Sequence, residues 1–550
     1  MRPARPLVAL IAVGLFSACG GDRTGPAAPV DGGADAGGDA PAACGAGVAP
    51  GPGLTVTDRG AVQGVAAGEA WAYLGLPYAA PPVGSLRWAA PAPVAECWSG
   101  VRDASAFGPK CPQLDASGAV IGEEDCLSLN VWTPAGATAG EGLPVLFFVH
   151  GGGHVQGSAA DQAASGEYIY DGAALAAAAQ VVVVTINYRL GALGFVSAPA
   201  LSAADPQGVS GNYGVRDAIA ALGWVQRNAA AFGGDPGRVL LFGESAGAVQ
   251  TCSVLVSPLA AGLFRAALME SGGCAAKDQA GAEAFGAQVI AAAGCADAAD
   301  VLACMRGLAA DAVVAALPQP VDVAGKQGGY QPNIDGTVIP GVPLALLAAG
   351  AHNHVPLVVG VNADETSRYV PQMTVAEYQQ AVYALVGGNT AVGDVILAQY
   401  PVADYAGVPR RAFVALTSDA KFICTARKVA RAARAGQTEP VYRYYFTHPF
   451  QNAGATALAL GAWHGIELTY VFDHLHLAGY TPTAGEQALA DVIGGSWSRL
   501  AATGDPNGGG APAWPEYVAA TDPFLQLEDP SASGAGVRTA PCDFWDTIMP

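Results

Sequence analysis

The stretch Phe232-Gly233-Gly234-Asp235-Pro236-Gly237-Arg238-Val239-Leu240-Leu241-Phe242-Gly243-Glu244-Ser245-Ala246-Gly247 decides the fold. It reads as a short apolar strand, Val239 to Phe242, running directly into Gly-x-Ser-x-Gly. A strand, a serine turn and then a helix make a nucleophile elbow, which lifts one serine, here Ser245, above the edge of a sheet. Gly243 and Gly247 stand two residues either side of the serine, where so tight a turn crowds any Cβ. On either side of the elbow, strands and helices alternate. The runs 143–149 and 181–187 are apolar without a break and read as strands buried on both faces. Between them and the elbow, 215–227 carries Ile219, Leu222 and Val225 at helical spacing. Further strands are expected around 264–269, 356–361 and 441–446, and a helix at 171–180. This order predicts an α/β fold: a large, mostly parallel sheet covered by helices on both faces. Short strands at 54–57, 61–65 and 70–74, separated by glycine turns, predict an antiparallel entry to that sheet. Residues 278–340 and 375–417 read as helical and irregular insertions around the sheet rather than a second domain.

The chain has 550 residues, 51% hydrophobic and 13% charged, enough for one large domain over 54–550. Lys+Arg 26 against Asp+Glu 46 gives a net charge of −20. Such a surface repels nucleic acid and anionic headgroups, which excludes both as partners on electrostatic grounds. Residues 1–18 read as an export signal: Arg2 and Arg5 precede an apolar run, 7–16, too short to span a bilayer. Ser17-Ala18-Cys19 then resembles a bacterial lipoprotein cleavage site, with Phe16 standing where leucine is usual. Cleavage there would leave Cys19 as a lipid-bearing first residue and the sole membrane attachment; an ordinary secretory signal cut near Ala18 is the other reading. Residues 19–53 are mostly Gly, Ala, Pro and Asp without apolar periodicity and read as a tether. Cysteine parity agrees with export, since setting Cys19 aside from the 11 cysteines leaves ten that can pair completely.

Acyl transfer by serine needs a nucleophile, a base, an orienting acid and donors for the developing oxyanion. Ser245 is the candidate nucleophile. His150-Gly151-Gly152-Gly153 follows the 143–149 strand, and its glycines leave backbone N–H groups open to a substrate. Gly152, Gly153 and the N–H of Ala246 are the candidate oxyanion donors. The acid is expected in a loop just past a strand, and Asp364 and Glu365 both follow the 356–361 strand at once. Among the later histidines, His464 sits in Ala462-Trp463-His464-Gly465, where small neighbours let an imidazole reach over the elbow. Trp463 and Tyr470 nearby read as core residues before pocket residues. His352 with His354, and His474 with His476, have spacing that could hold a metal, but no cluster of cysteines or carboxylates completes a site. Neither a metal nor another cofactor is expected.

The chain resembles the type-B carboxylesterases, the cholinesterase-like branch of the α/β-hydrolases. The run from Phe232 to Gly247 matches that family's serine signature. Glu124-Asp125-Cys126-Leu127-Ser128-Leu129-Asn130-Val131-Trp132-Thr133-Pro134 matches its second signature except at Ser128, where an aromatic residue or threonine is usual. Asn187-Tyr188-Arg189-Leu190-Gly191, Gly360-Val361-Asn362-Ala363-Asp364-Glu365 and His464-Gly465-Ile466-Glu467 are further matches. The resemblance implies Ser245 as nucleophile, Glu365 rather than Asp364 as acid, and His464 as base. It implies Gly152, Gly153 and Ala246 as oxyanion hole, and structural ion pairs Arg87 with Glu124 and Arg189 with Asp217. It also implies disulfides Cys111–Cys126, at the mouth of the site, Cys295–Cys304 and Cys424–Cys542. Cys44–Cys97 and Cys252–Cys274 would use the remaining four, but that pairing rests mainly on parity and stays open at this point. In cholinesterases the loop equivalent to 112–125 is longer and carries a tryptophan for the quaternary ammonium; here it has no aromatic residue. It is also too short for a lipase lid. The expected substrate is therefore a small, soluble ester of short to medium acyl chain. A lipase, an acyltransferase and a non-catalytic binding protein of the same fold are the alternatives.

Overall fold

In the computed structural model the described residues are Cys44, Val48, 51–325 and 329–549. The expected signal segment, Cys19 and most of the tether lie outside them. Eleven strands form the main sheet. In chain order they are β1 (Val65–Ala67), β2 (Ala70–Pro77), β3 (Ser128–Pro134), β4 (Leu143–Val149), β5 (Val182–Ile186) and β6 (Gly234–Glu244). The rest are β7 (Ala266–Glu270), β8 (Leu357–Asn362), β9 (Val441–Phe446), β10 (Pro523–Leu527) and β11 (Ala532–Ala535). Their order across the sheet is β11-β10-β9-β8-β7-β6-β4-β5-β3-β2-β1. From β10 to β5 every neighbouring pair is parallel, and both margins turn antiparallel.

The unbroken apolar runs are explained by burial on both sides. Along β4, Val145, Phe147 and Val149 enter one core, while Leu146 and Phe148 enter the other. Along β6, Val239 and Leu241 alternate in the same way with Leu240 and Phe242. One face is covered by α1 (Tyr213–Asn228), α2 (Ala246–Leu255) and α3 (Cys424–Gly436), which bury Leu222, Cys252 and Val429 there. The other is covered by α4 (Ala484–Thr503), which buries Leu489, Ile493 and Trp497.

Several expectations change in detail. Leu54–Thr57 and Gly60–Gln63 pair antiparallel as expected but join Val101–Asp103 in a separate three-stranded sheet. The second expected strand divides: Gly60–Gln63 stays in the small sheet, while Val65 opens β1, which joins the main sheet beside the third, β2. Gly64 marks the break: a Cβ there would stand 2.6 Å from the Ala72 carbonyl oxygen, so the chain passes too close for a side chain. The elbow strand begins at Gly234 rather than Val239, with a register shift between the two where Pro236 has no N–H to give the ladder. The 278–340 and 375–417 insertions do hold helices, among them Gln279–Ala292 and Pro409–Ser418.

All five disulfides form, including Cys44–Cys97 and Cys252–Cys274. Such bonds are characteristic of exported chains. Among the described residues no helix is long and apolar enough to cross a membrane. Arg189 grips Asp217 through Nε at 2.8 Å and Nη2 at 2.7 Å, with both groups buried. Arg87 meets Glu124 with Nε at 2.6 Å and Nη2 at 2.5 Å. Removing one partner of a buried pair leaves an uncompensated charge and typically costs about 3–5 kcal/mol, so these positions matter to folding without touching the site.

Candidate active site

The parallel strands deliver their loops to one end of the sheet. β5 and β6 pair on opposite sides of β4, so the strand order reverses there, and ligands of open α/β sheets bind outside the carboxyl ends at such a point. His150 directly follows β4, Ser245 follows β6, Ser271 follows β7, and Glu365 lies three residues past the end of β8.

Ser245 has φ 58° and ψ −119°, a conformation costly to a residue with a Cβ. It is held by its own N–H, which donates to the Glu270 carbonyl oxygen at 2.9 Å. The flanking glycines are a packing requirement: a Cβ on Gly247 would stand 1.9 Å from the Val149 carbonyl oxygen, and one on Gly243 would stand 2.5 Å from the Gly247 oxygen. α2 starts at Ala246, whose N–H is one of the helix-end donors with no intrahelical acceptor. Gly152 and Gly153 adopt φ 101° and 65°, and among the described residues their N–H groups donate to no protein acceptor. The loop is tight here too, since a Cβ on Gly152 would reach within 2.1 Å of the Gln156 oxygen.

The acid and base loops are sewn together by their backbones. His464 N–H donates to the Glu365 carbonyl at 3.0 Å, and Asp364 N–H to the Ala462 carbonyl at 2.9 Å. The two carboxylates that spacing could not separate have different contacts. Asp364 Oδ2 accepts the Ala462 N–H at 3.1 Å and so braces the loop. Glu365, fully buried, places Oε2 2.6 Å from His464 Nδ1 and accepts the Asn362 N–H on Oε1 at 2.8 Å. Nδ1, facing the Glu365 carboxylate so closely, keeps its proton, so the ring gains and loses a proton at Nε2. Nε2 lies 3.1 Å from Glu244 Oε1, an ion-pair contact without the alignment of a hydrogen bond, and among the described residues it makes no hydrogen bond. The ring of Phe422 packs on His464 at 4.9 Å. Ser245, Ala246, Gly153 and His464 line one cavity of about 110 Å³.

Behind the imidazole sits a group of buried carboxylates. Burial would lower the His464 pKa, but the charges of Glu244 and Glu365 outweigh it and lift the value to about 9. Burial raises Glu244 to about 7, against the pull of His464. Burial, with the charge of Glu244, raises Glu467 to about 8 while Asn362 Nδ2 donates to it. Glu270 is raised well above the carboxylate range by burial and by Glu467, and accepts from Trp497 Nε1 at 3.0 Å. The surroundings therefore favour a positive imidazole. A serine on a strained turn, an imidazole oriented by a carboxylate, and unpaired N–H groups make an arrangement suited to acyl transfer.

A sequence model of the Carboxylesterase family matches residues 53–545. The chain belongs to the carboxylesterase family. Its relatives include a fumonisin B1 esterase of Sphingopyxis macrogoltabida, 36% identical over 506 residues, covering 88% of each chain. They also include a medium-chain fatty acyl-CoA hydrolase precursor of Anas platyrhynchos, 34% identical over 533 residues, covering 89% of this chain and 91% of that one. A cocaine esterase of Oryctolagus cuniculus is 33% identical over 524 residues, covering 89% and 93%.

This carboxylesterase differs from the expected picture at the cavity rim. The Cys111–Cys126 loop folds as a small hairpin, Gln113–Leu114 with Val120–Ile121, tied to Gly157 through Gln113. It supplies none of the described cavity-lining residues. The wall comes instead from 320–323 and from Lys421 and Phe422, which sequence reasoning did not single out. Tyr470 is buried against Phe446, and Trp463 packs on Phe450; neither lines the cavity. His352 Nε2 pairs with Gln437, and His354 Nε2 with the Gly350 carbonyl.

Proposed function

We propose that this carboxylesterase works through Ser245, His464 and Glu365 and an acyl-enzyme, and prefers esters of short to medium acyl chain. The observation that carries the reading is the buried His464–Glu365 pair, 2.6 Å apart, with His464 lining the same cavity as the serine of the elbow. His464 takes the Ser245 proton as Oγ attacks the ester carbonyl, and Glu365 holds the imidazolium that forms. The N–H groups of Gly152, Gly153 and Ala246 receive the oxyanion; each such donor typically supplies about 3 kcal/mol of barrier lowering. The alcohol leaves with the proton, and water activated by His464 frees the acid. Two facts support short chains. The cavity, about 110 Å³, is small, and the hairpin that would serve as a lid contributes nothing to its lining.

The test is hydrolysis of p-nitrophenyl esters from acetate to palmitate, followed across pH. Turnover is expected to peak between acetate and octanoate; a peak at palmitate would make this a lipase. His464 must be unprotonated to act as base, and its pKa is raised from 6.5 to about 9. Activity is therefore expected to rise with pH and its acid limb to lie above pH 6.5. A limb at or below that value would mean that Glu244 and Glu365 do not hold a proton on the ring. An added alcohol that captures most of the acyl group would show a transferase.

We also propose that Cys19 carries lipid and that the tether holds the domain at a membrane. Cells making the Cys19→Ser protein are expected to lose label from fed radioactive palmitate and to release activity from the membrane fraction. Activity that stays soluble in both would leave an ordinary secreted enzyme.

A further inference from the structure

Lys421 has an environment that the proposed reaction does not use. It lies on the π-helical turn Asp419–Ile423, and single turns of this kind widen a helix by one residue and often mark functional sites. Here the turn sends consecutive residues to the cavity: Phe422 packs on the His464 ring at 4.9 Å, and Lys421 joins Ser245 and His464 in the lining. The Lys421 ammonium donates to the carbonyl oxygens of Gly325 at 2.6 Å and Asp322 at 3.1 Å. An ammonium has three N–H donors, so one remains after these two bonds.

No carboxylate neutralises this charge. Among the described residues Lys421 makes no salt bridge, although the chain carries 46 acidic residues against 26 basic ones. Asp322 is the acid beside it, but its Oδ1 accepts the Gly325 N–H and its side chain is exposed. Burial lowers the Lys421 pKa to about 8, and Asp322 only partly opposes this. An ammonium taken partly out of water and left with two neutral acceptors gains most from an anion arriving beside it. The molecule as a whole, at −20, offers anions little. The acyl group stays on the serine through both steps of the proposed reaction, so a wall cation that engages it acts on both, whereas one that engaged the alcohol would act on the first alone.

We infer that Lys421 is a specificity-determining residue that docks an ionised carboxylate on the acyl part of the substrate. The preferred substrates are thus monoesters of short dicarboxylic acids. This rests on the serine-esterase reading of the same cavity.

The experiment compares p-nitrophenyl hydrogen glutarate, which is anionic, with methyl p-nitrophenyl glutarate, its neutral match, by release of p-nitrophenol after background subtraction. Native protein is expected to show the higher kcat/KM on the anion. In Lys421→Met the anionic-to-neutral ratio is expected to fall about 30-fold, the worth of one charge-assisted hydrogen bond. Lys421→Arg should keep the ratio within a few-fold of native, and 0.5 M salt should lower it in native protein. Equal losses on both esters in Lys421→Met would mean that the lysine only braces the 322–325 turn, and would overturn the inference. A native ratio below one would overturn it too. Failure of the underlying reading looks different: neither ester is turned over, or both still are in Ser245→Ala.

Discussion

Ser245→Ala is expected to lower kcat on p-nitrophenyl butyrate by about 10⁵-fold, and His464→Ala by a similar factor. The double variant should lose little more than either single one, because a base without a nucleophile and a nucleophile without a base fail at the same step. The fold should not register the serine change. Ser245 owes its position to its backbone, through the N–H bond to the Glu270 oxygen at 2.9 Å and the close passage of Gly243 and Gly247. Its Oγ makes no hydrogen bond that alanine would break among the described residues. The melting temperature should therefore stay within a few degrees while activity disappears. The residual rate of Ser245→Ala should still exceed that in water, since Gly152, Gly153 and Ala246 keep their N–H groups. Losses that add in the double variant, or a few per cent of native turnover left in Ser245→Ala, would remove Ser245 and His464 from a shared mechanism.

The parts legible from sequence are those where one local rule acts alone. β4 is found to the residue because seven consecutive positions, Leu143–Val149, satisfy a strand buried on both faces. The elbow is legible because sterics permit only glycine where Gly247 meets the Val149 carbonyl. β10 and β11 were not legible. Pro523 opens the first, the second is Ala532–Ala535 with two exposed residues at its start, and both lie at the sheet's margin where burial leaves no pattern. The rear of the site was half legible. Glu467 sits in a recognisable motif, but Glu270 is separated from it by almost two hundred positions, and only the fold brings its charge near. The wall was not legible at all. The 320–323 segment, in one insertion, and Lys421, just past the other, are about a hundred residues apart, and no periodicity signals that Lys421 meets Asp322 there while Val321 packs on Gly153.

Glu365→Gln should be nearly as damaging as loss of the serine, and for a reason that excludes Asp364 from the same role. Both oxygens of Glu365 are occupied by donors: Oε2 faces His464 Nδ1 at 2.6 Å and Oε1 accepts the Asn362 N–H at 2.8 Å. Glutamine has one oxygen and one NH₂, so either orientation fails. With its oxygen toward His464, its NH₂ meets the Asn362 N–H, donor against donor in a fully buried place. Turned over, it satisfies Asn362 but donates to Nδ1, which forces the imidazole proton onto Nε2 and removes the base. The second arrangement leaves no donor unsatisfied and so should predominate, with kcat lower by about 10³–10⁴-fold at neutral pH. Glu365→Asp keeps two acceptors but is shorter by one methylene and should fall between the native protein and the glutamine variant. Asp364→Asn, by contrast, changes a carboxylate whose recorded bond is to the Ala462 N–H, and an amide oxygen can accept that bond equally well. Its expected loss is less than about tenfold, the scale of one neutral hydrogen bond. The comparison decides the acid: collapse in Asp364→Asn with survival in Glu365→Gln would reverse the assignment and with it the tautomer on which the proposed mechanism depends.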